Sequence, residues 1–487
     1  MHVVRGRTDS VVVVGAGLAG LSAALHLRGA GHQVTVVEQR GHPGGLAGRS
    51  DVDGHRLDTG PTVLTMPELL DEAFSAVGQR LSDRLELLPL HPAYRATFAD
   101  GSALDVHTDA ERMEQEVRDF AGGREAGGYR RLRAWLTRLH EVERERFIGA
   151  NLDSPLDLLG RDLAALAALG GFGSLSRAVG RFLDDPRLRR VFTFQSLYAG
   201  VAPRDALAAY AVIAYMDTVA GVWFPRGGMR AVPQALADAA LDAGVEFHYD
   251  TEVTALERAG SRVTAVRTAG DRIPCDAVVL ATGPAQSTRL LHGRPRRPVP
   301  LRWSPSAVVV HLSAPEASAD LAHHTISFGE AWDGTFDEII RAGRLMSDPS
   351  LLLTTPSLTD PALAPAGRHL HYVLAPCPNL DSAPLRWDAL GPRYADELVA
   401  ELTRRKLLVT DVTRLATTTP DDWATLGQAA GTPFSAAHTF GQTGPFRPRN
   451  LPHRRGNVVL AGSGTTPGVG IPPVLISGRL AAERLRR

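Results

Sequence analysis

Three glycines and one acid have the types and the spacing to do chemistry: Gly15, Gly17 and Gly20 in the run Val11-Val-Val-Val-Gly-Ala-Gly-Leu-Ala-Gly20, and Glu38 further along. A G-x-G-x-x-G turn sets backbone N–H groups against a pyrophosphate. Gly15 permits the tight turn, Gly17 lets backbone approach the phosphates, and Gly20 lets the following helix pack close to its strand. The helix N-terminus then faces the phosphates with its dipole. Glu38 stands where the ribose acid of such units falls, accepting from a 2′-hydroxyl and repelling a 2′-phosphate. The four residues predict a site for a dinucleotide.

The elements that must position them follow from the pattern. A strand covers Val11 to Val14, a helix runs from about Leu18 to Ala30, Gly31 stops it, and a second strand from Gln33 to Val37 delivers Glu38. The stretch Val11 to Leu27 lacks Asp, Glu, Lys and Arg and follows Arg5 and Arg7, as a leader or a membrane span would. Its glycines are placed for a turn, it is short for a span, and it continues into an alternating strand, so it reads as neither. In the polar loop Gln39 to Gly48 the pair Gly44-Gly45 predicts a second close backbone approach to the ligand.

The 487 residues suffice for two or three domains around a large core. With 53 basic and 53 acidic side chains there is no electrostatic footprint for nucleic acid. Cys275 and Cys377 stand far apart with no CxxC and no His cluster at ligand spacing, which predicts a reducing, cytoplasmic compartment and no structural metal.

The nucleotide unit is expected to be discontinuous: residues 8–105 form its first part, 221–295 its second and 451–487 its third. Strand character at Val245 to Tyr249, Arg262 to Arg267 and Ala277 to Leu280 predicts that its sheet is resumed after an insertion. Residues 106–220 read as a helical insert, with Leu159, Leu163 and Leu166 on one face and an all-apolar helix from Ala206 to Met216 behind Asp205 as N-cap. Residues 296–450 read as a mixed-sheet domain, with strands at Ala307 to Leu312 and His369 to Leu374 and a helix near Arg393 to Leu407. The end of the chain, Asn457 to Leu460, Ala461-Gly-Ser-Gly and Gly468-Val-Gly-Ile-Pro-Pro473, is a strand, a glycine loop and a closing helix.

Beyond the N-terminal fingerprint, the chain carries Asp58-Thr-Gly-Pro-Thr62, Tyr198-Ala-Gly-Val201, Phe224-Pro-Arg-Gly-Gly-Met229 with Val232-Pro-Gln-Ala-Leu236, Asp348-Pro-Ser350, Thr419-Pro-Asp421, Phe446-Arg-Pro448 and Pro467-Gly-Val-Gly-Ile-Pro472. In these it resembles, nearly end to end, the FAD-dependent bacterial phytoene desaturase family, within the wider amine oxidase and GDP-dissociation-inhibitor group of flavoprotein folds. The resemblance implies an α/β fold: a discontinuous Rossmann-type, amine-oxidase-like FAD-binding domain, a second mixed-sheet substrate domain and the helical insert. It implies that Gly15, Gly17, Gly20 and Glu38 hold the ADP half of FAD, that Arg40, Gly44 and Gly45 line the pyrophosphate and ribityl path, and that Gly60, Pro61 and Thr62 lie near the flavin ring. Gly227 and Gly228 would admit cofactor at the crossover back into the nucleotide domain, and Val253 would pair its backbone with adenine. Gly462 with Gly470, Ile471 and Pro472 would cover the ribityl and pyrimidine end, where a helix starting near Pro472 or Pro473 turns free N–H groups and a positive dipole end toward the flavin. Two departures stand out. Leu46 occupies the place of a usual arginine, for which Arg49 or Arg40 would substitute, and Gly431-Thr-Pro-Phe434 lacks a usual following glycine.

The implied substrate is a lipophilic linear C40 polyisoprenoid such as phytoene, desaturated toward lycopene by hydride transfer to flavin N5 and loss of a neighbouring proton. A single dinucleotide fingerprint leaves no second cleft for a nicotinamide, so a quinone or oxygen is the expected electron acceptor. The substrate must be collected from a membrane, and Leu156, Leu159, Leu163, Leu166, Leu169, Phe172, Leu175 and Phe182, with Arg177 and Arg181 nearby, are the candidate interfacial face, either that or a core stripe. A cytoplasmic protein peripherally attached to the inner face of the membrane is the expectation. No general base announces itself: His311, His323, His324 and His371 read as structural, and Tyr210 and Tyr215 as tunnel residues. The alternatives are another carotenoid desaturase, isomerase or ketolase, an amine-oxidase-like enzyme, which Lys406 in an Arg-rich helix disfavours, and a prenyl-binding chaperone, which needs no pyrophosphate site.

Overall fold

Four successive valines form the centre of a parallel sheet because β-branched side chains suit extended backbone and all four are buried. The computed structural model describes residues 1–292, 300–453 and 456–486; the expected boundary between 295 and 296, and residue 487, lie outside them. Ser10–Val14 is flanked by Ala277–Leu280 and Gln33–Val37, with Val458–Leu460 and Glu246–His248 at the two edges of this five-stranded sheet. Every pairing is parallel, Val12 standing opposite both Val278 and Thr35. Strands from three distant stretches of chain thus share one sheet.

A parallel sheet must be covered on both faces. On one face lie helix Leu18–Gly29, one residue shorter than expected, and the closing helix Ile471–Glu483. Their contact is backbone-close: a Cβ on Gly478 would stand 2.4 Å from Ala19 O. On the other face Val12, Val14, Val37 and Leu280 pack against Val253, Leu256, Val263 and Val266. The last three of these belong to a separate three-stranded antiparallel sheet, Ala255–Ala259, Arg262–Arg267 and Arg272–Pro274. Arg262 to Arg267 therefore does not resume the nucleotide sheet. Gly260, at φ +60, turns the chain straight back, and so short a connection joins antiparallel strands only.

The second sheet has seven strands in the order Thr413–Thr418, Ser306–Ala314, His369–Cys377, Leu351–Thr354, His324–Ser327, Tyr94–Thr97 and Ala103–Val106. Of its last two strands, Tyr94–Thr97 comes from within the stretch 8–105 and runs parallel to His324–Ser327, and Ala103–Val106 crosses the end of that stretch. Helix Trp387–Arg404 covers its outer face, placing Trp387, Tyr394, Leu398 and Leu402 on Val308, Val310 and Leu312. It starts earlier than expected and stops before Lys406, which has a left-handed φ of +62. Both cysteines are buried and unpaired.

A helical cluster includes Ala110–Ala121, Gly123–Glu143, Arg161–Ala168 and Pro186–Val191, the first packed on strand Ala103–Val106 and on the second. The expected helix from Ala206 to Met216 is broken into a 3₁₀ turn Ala208–Tyr210, an α-turn Ala211–Tyr215 and a π-turn Met216–Ala220. Asp205 does not cap it; its carboxylate meets Arg341 at 3.0 Å. A run that is apolar at every position has no face to enforce one helical period, so tertiary contacts decide the path. Gly478→Val, which places a branched side chain between the two cover helices, is expected to lower the unfolding free energy by about 1–3 kcal/mol. The check is the denaturant midpoint, which should fall while the slope stays constant.

Candidate active site

The turn after Val14 has a conformation that demands glycine. Gly15 has φ +103, and a Cβ there would sit 2.8 Å from Ala281 O; a Cβ on Gly20 would sit 2.0 Å from Gly15 O, so helix and turn touch through backbone. Gly15 N–H donates to Val37 O and Gly44 N–H to Ala16 O, which lays the loop after Glu38 across the turn. Gly45 then comes so near that its Cβ would be 3.1 Å from Gly17 Cα. Glu38 Oε2 accepts from Ala16 N–H at 2.8 Å and Oε1 from Arg40 N–H at 3.0 Å, so the buried carboxylate braces the turn and keeps one lone pair on each oxygen for a ligand hydroxyl. Arg40 Nη1 donates to Gly45 O at 3.0 Å.

These groups line one end of a cavity of about 830 Å³. Gly15, Gly17, Glu38, Arg40, Gly44, Gly45, Gly60, Pro61, Thr62, Val253, Gly462, Gly470, Ile471 and Pro472 all lie in its wall. Gly20 supports the turn from behind. Gly227 and Gly228 are not in the wall: with φ of +88 and +90 they bend the chain into helix Ala231–Asp242, Gly227 N–H donating to Asp360 Oδ2 at 2.8 Å. Leu46 does line the cavity and Arg40 lies beside it, whereas Arg49 is engaged with Asp51 at 3.0 Å. The closing helix begins at Ile471, and Pro472 and Pro473 have no N–H. Val474 N–H returns to Gly470 O, so this end offers the Ile471 N–H and the dipole rather than the several donors expected.

Around the cavity's middle the wall is built from both sheets. Tyr372, from the seven-stranded sheet, donates its hydroxyl to Gly60 O at 3.0 Å. Asp58 accepts from Met229 N–H at 3.0 Å and Arg230 N–H at 3.4 Å, fastening the Asp58-Thr-Gly-Pro-Thr62 segment to the crossover. Burial pushes its carboxyl up to about 7, against the pull of those two N–H groups and of Arg49. Arg447 is fully buried and donates to Thr465 O at 3.0 Å, Ala436 O at 3.2 Å and Ser463 O at 2.7 Å, holding the Gly462 loop against the wall.

Beyond this point the wall is apolar, with Leu163, Leu166, Leu207, Val212, Ile213 and Phe434 among its residues. Leu163 and Leu166, expected on an interfacial face or in a core stripe, line the cavity, and Leu175 is buried, while Leu156 and Leu159 are exposed. The polar groups set into this wall were not foreseen: Glu143, Asp217 and His438, beside the expected Tyr210. The Tyr210 hydroxyl bonds His438 Nδ1 at 2.8 Å and also Thr443 Oγ1. Tyr215 stacks on His140 outside the cavity wall. Asp217 had one available signal, being the first charged residue after the apolar run; Glu143, inside Glu141-Val-Glu-Arg-Glu-Arg146, had none. His311, His323, His324 and His371 do not line the cavity. His323, His324 and His371 each have one ring nitrogen bonded within the seven-stranded sheet or its connections, while His311 Nε2 bonds Asp58 O at 2.9 Å, and burial lowers His324 to about 3 and His371 to about 4.

A cradle of glycines that any Cβ would fill, a ribose acid, two helix N-termini and a contiguous apolar extension fit a flavin dinucleotide with a greasy substrate beside it. Glu38→Ala, which removes the acid and leaves Ala16 N–H without its partner, is expected to weaken FAD retention about tenfold or more. Flavin fluorescence released from purified protein, and titration of apoprotein with FAD, measure it.

The flavin containing amine oxidoreductase family model matches residues 18–486. The chain is 64% identical to a phytoene dehydrogenase of Streptomyces griseus, covering 100% of this chain and 96% of the relative, and 36% identical to a zeta-carotene-forming phytoene desaturase of Myxococcus xanthus, covering 98% and 93%. Cyclohexylamine oxidase from Brevibacterium oxydans has the same fold at a TM-score of 0.58 and 17% identity, covering 99% of each chain. With that fold, that family match and this glycine-lined cavity, the chain belongs to the flavin containing amine oxidoreductase family and is an FAD-dependent oxidoreductase.

Proposed function

We propose that the protein desaturates a linear C40 isoprenoid, phytoene, along the path toward lycopene. The observation that carries this reading is the single cavity that joins the glycine-lined nucleotide end to a long apolar wall. The similarity to the phytoene dehydrogenase of Streptomyces griseus supports it. When bound, FAD supplies a two-electron hydride acceptor. The chain's own residues do the rest. Glu38, Arg40 and the glycine turns hold the cofactor, while Leu163, Leu166, Val212 and Ile213 hold an extended hydrocarbon by area alone and keep water out. The one lysine, Lys406, is exposed and does not line the cavity.

A forty-carbon hydrocarbon does not cross water: at about 0.8 kcal/mol per CH₂ the penalty is on the order of tens of kcal/mol. The rim of the cavity fits a lipid surface. Phe172, Phe440 and Phe446 line the cavity and are also 44%, 60% and 41% exposed, with exposed Leu156 and Leu159 next to wall residues Pro155 and Leu158. Arg144, Arg161 and Arg177 are exposed on the same insert, where they would meet anionic headgroups. No helix among the described residues is long and apolar enough to cross a membrane. The contact proposed is a peripheral one, at the cytoplasmic face. A quinone dissolved in that membrane, or oxygen, would take the electrons onward.

Expression in a host that accumulates phytoene should convert colourless extract to coloured polyenes; a flavin-loaded protein that leaves the extract colourless removes phytoene as the substrate. The double variant Phe440→Ser, Phe446→Ser is expected to lose about tenfold or more in binding to anionic phospholipid vesicles, measured by co-sedimentation, with flavin content unaltered.

A further inference from the structure

We propose that Asp217 is the proton acceptor of this reaction, the group that receives the proton released from carbon as the double bond forms. The inference rests on the desaturase reading above. A hydrocarbon has no group of its own to take that proton, and the wall that must hold it is mostly apolar. Asp217 lies in that wall, buried, on the π-turn Met216–Ala220. Such turns insert a residue into a helix and re-aim its side chains, and they recur at functional sites.

The groups around Asp217 leave its charge available. The Gln195 side-chain amide stands beside it, and Tyr94 and Tyr198 add phenols; Tyr94 donates its hydroxyl to Val191 O. Arg133, on the packed helix Gly123–Glu143, directs its guanidinium to Thr108 O, Thr218 O and the Tyr129 hydroxyl. From the same helix, His140 stacks on Tyr215. No salt bridge neutralises the Asp217 carboxylate among the described residues. Burial raises its pKa to about 7 and the Gln195 amide restrains the rise, so a large share is ionised near neutrality.

The other ionisable groups in the wall are poorer acceptors. Glu143 Oε1 has no hydrogen-bond partner, and burial holds this carboxyl well above the usual carboxylate range, with no donor beside it to favour the ionised form. His438 shares Nδ1 with Tyr210, and burial with the nearby Arg447 keeps it well below its ordinary value, a weak base.

One C–H bond of the substrate would break with its electron pair leaving as hydride, for which bound FAD would supply the two-electron acceptor. The C–H bond on the adjacent carbon breaks with its pair becoming the new π bond, and its proton goes to an Asp217 carboxylate oxygen. In a low-dielectric wall the same carboxylate stabilises positive charge developing on carbon as the hydride leaves.

The test uses flavin-loaded Asp217→Asn, isosteric and unable to accept the proton, mixed anaerobically with phytoene in detergent-lipid micelles while flavin absorbance is followed. Wild-type protein that does not bleach sinks the desaturase reading itself. With wild type bleaching, the variant is expected to keep its flavin and its substrate affinity and to be reduced about 100-fold more slowly, with partial rescue by Asp217→Glu. Because the ionised form is the active one, the wild-type reduction rate should rise with pH through about 7, a limb absent from the variant. Independently of turnover, the infrared spectrum of substrate-free holoenzyme should show carboxylic acid carbonyl absorption lost with a midpoint near the same pH, to which Asp58 also contributes, and the Asp217 component is the part missing from Asp217→Asn and kept in Asp58→Asn. A variant reduced as fast as wild type, a wild-type rate flat with pH, or an infrared titration near that pH left unchanged by Asp217→Asn overturns the proposal, and the second decides it even if the variant cannot be loaded.

Discussion

At the nucleotide end, backbone has to lie against backbone. A Cβ on Gly20 would meet Gly15 O at 2.0 Å, one on Gly60 would meet Leu46 O at 2.0 Å, and one on Gly45 would meet Gly17 Cα at 3.1 Å. Side chains are excluded from these crossings, so N–H groups and helix ends are what a ligand encounters there. The rest of the architecture follows from bringing several stretches of chain to this point. The first strand and helix carry the turn, the loop after Glu38 crosses it, Asp58 draws in the crossover at Met229 and Arg230, and the closing helix packs its Gly478 on Ala19.

The cavity that results has two kinds of wall in one space. Near Glu38 it presents charge and backbone dipoles; toward Leu163, Val212 and Ile213 it presents hydrocarbon. Water expelled from the second region no longer screens the first, which strengthens every electrostatic contact made there. The same low dielectric explains why Asp58, Glu143 and Asp217 are all pushed upward by burial, and why the outcome for each depends on the donors left beside it.

What was legible in the sequence was whatever depends on local stereochemistry. The glycine turn, its strand and helix, Glu38 at the end of the second strand, and the glycine loop before Ile471 each require particular residue types at short range, and they stand where expected. What depends on distant pairing was not legible. Nothing in Tyr94–Thr97 states that its neighbour will be His324–Ser327, and nothing in Gly227-Gly228 distinguishes a turn that meets a ligand from one that feeds a helix. The all-apolar run from Ala206 gave no period to read, and the acid that follows it acquires meaning only once the wall it joins is assembled. Of the leucines of the insert, Leu166 and Leu175 are buried while Leu156 and Leu159 are exposed, and sequence does not say whether an apolar side chain faces a core, a lipid or a cavity.

Arg447 has a consequence for how the rim moves. Its guanidinium ties Ala436 to Ser463 and Thr465, joining the segment that leads to Phe440 with the loop that covers the cofactor end. A guanidinium does not give up its proton near neutrality, and breaking its bonds to buried carbonyls would strand charge in an apolar interior. Hinge-like swinging of the whole rim is therefore disfavoured against rotation of the aromatic rings of Phe440 and Phe446 about their own side-chain bonds. Phe440 and Phe446 are then the movable parts of that rim, two shutters on a rigid frame that also carries the Gly462 loop.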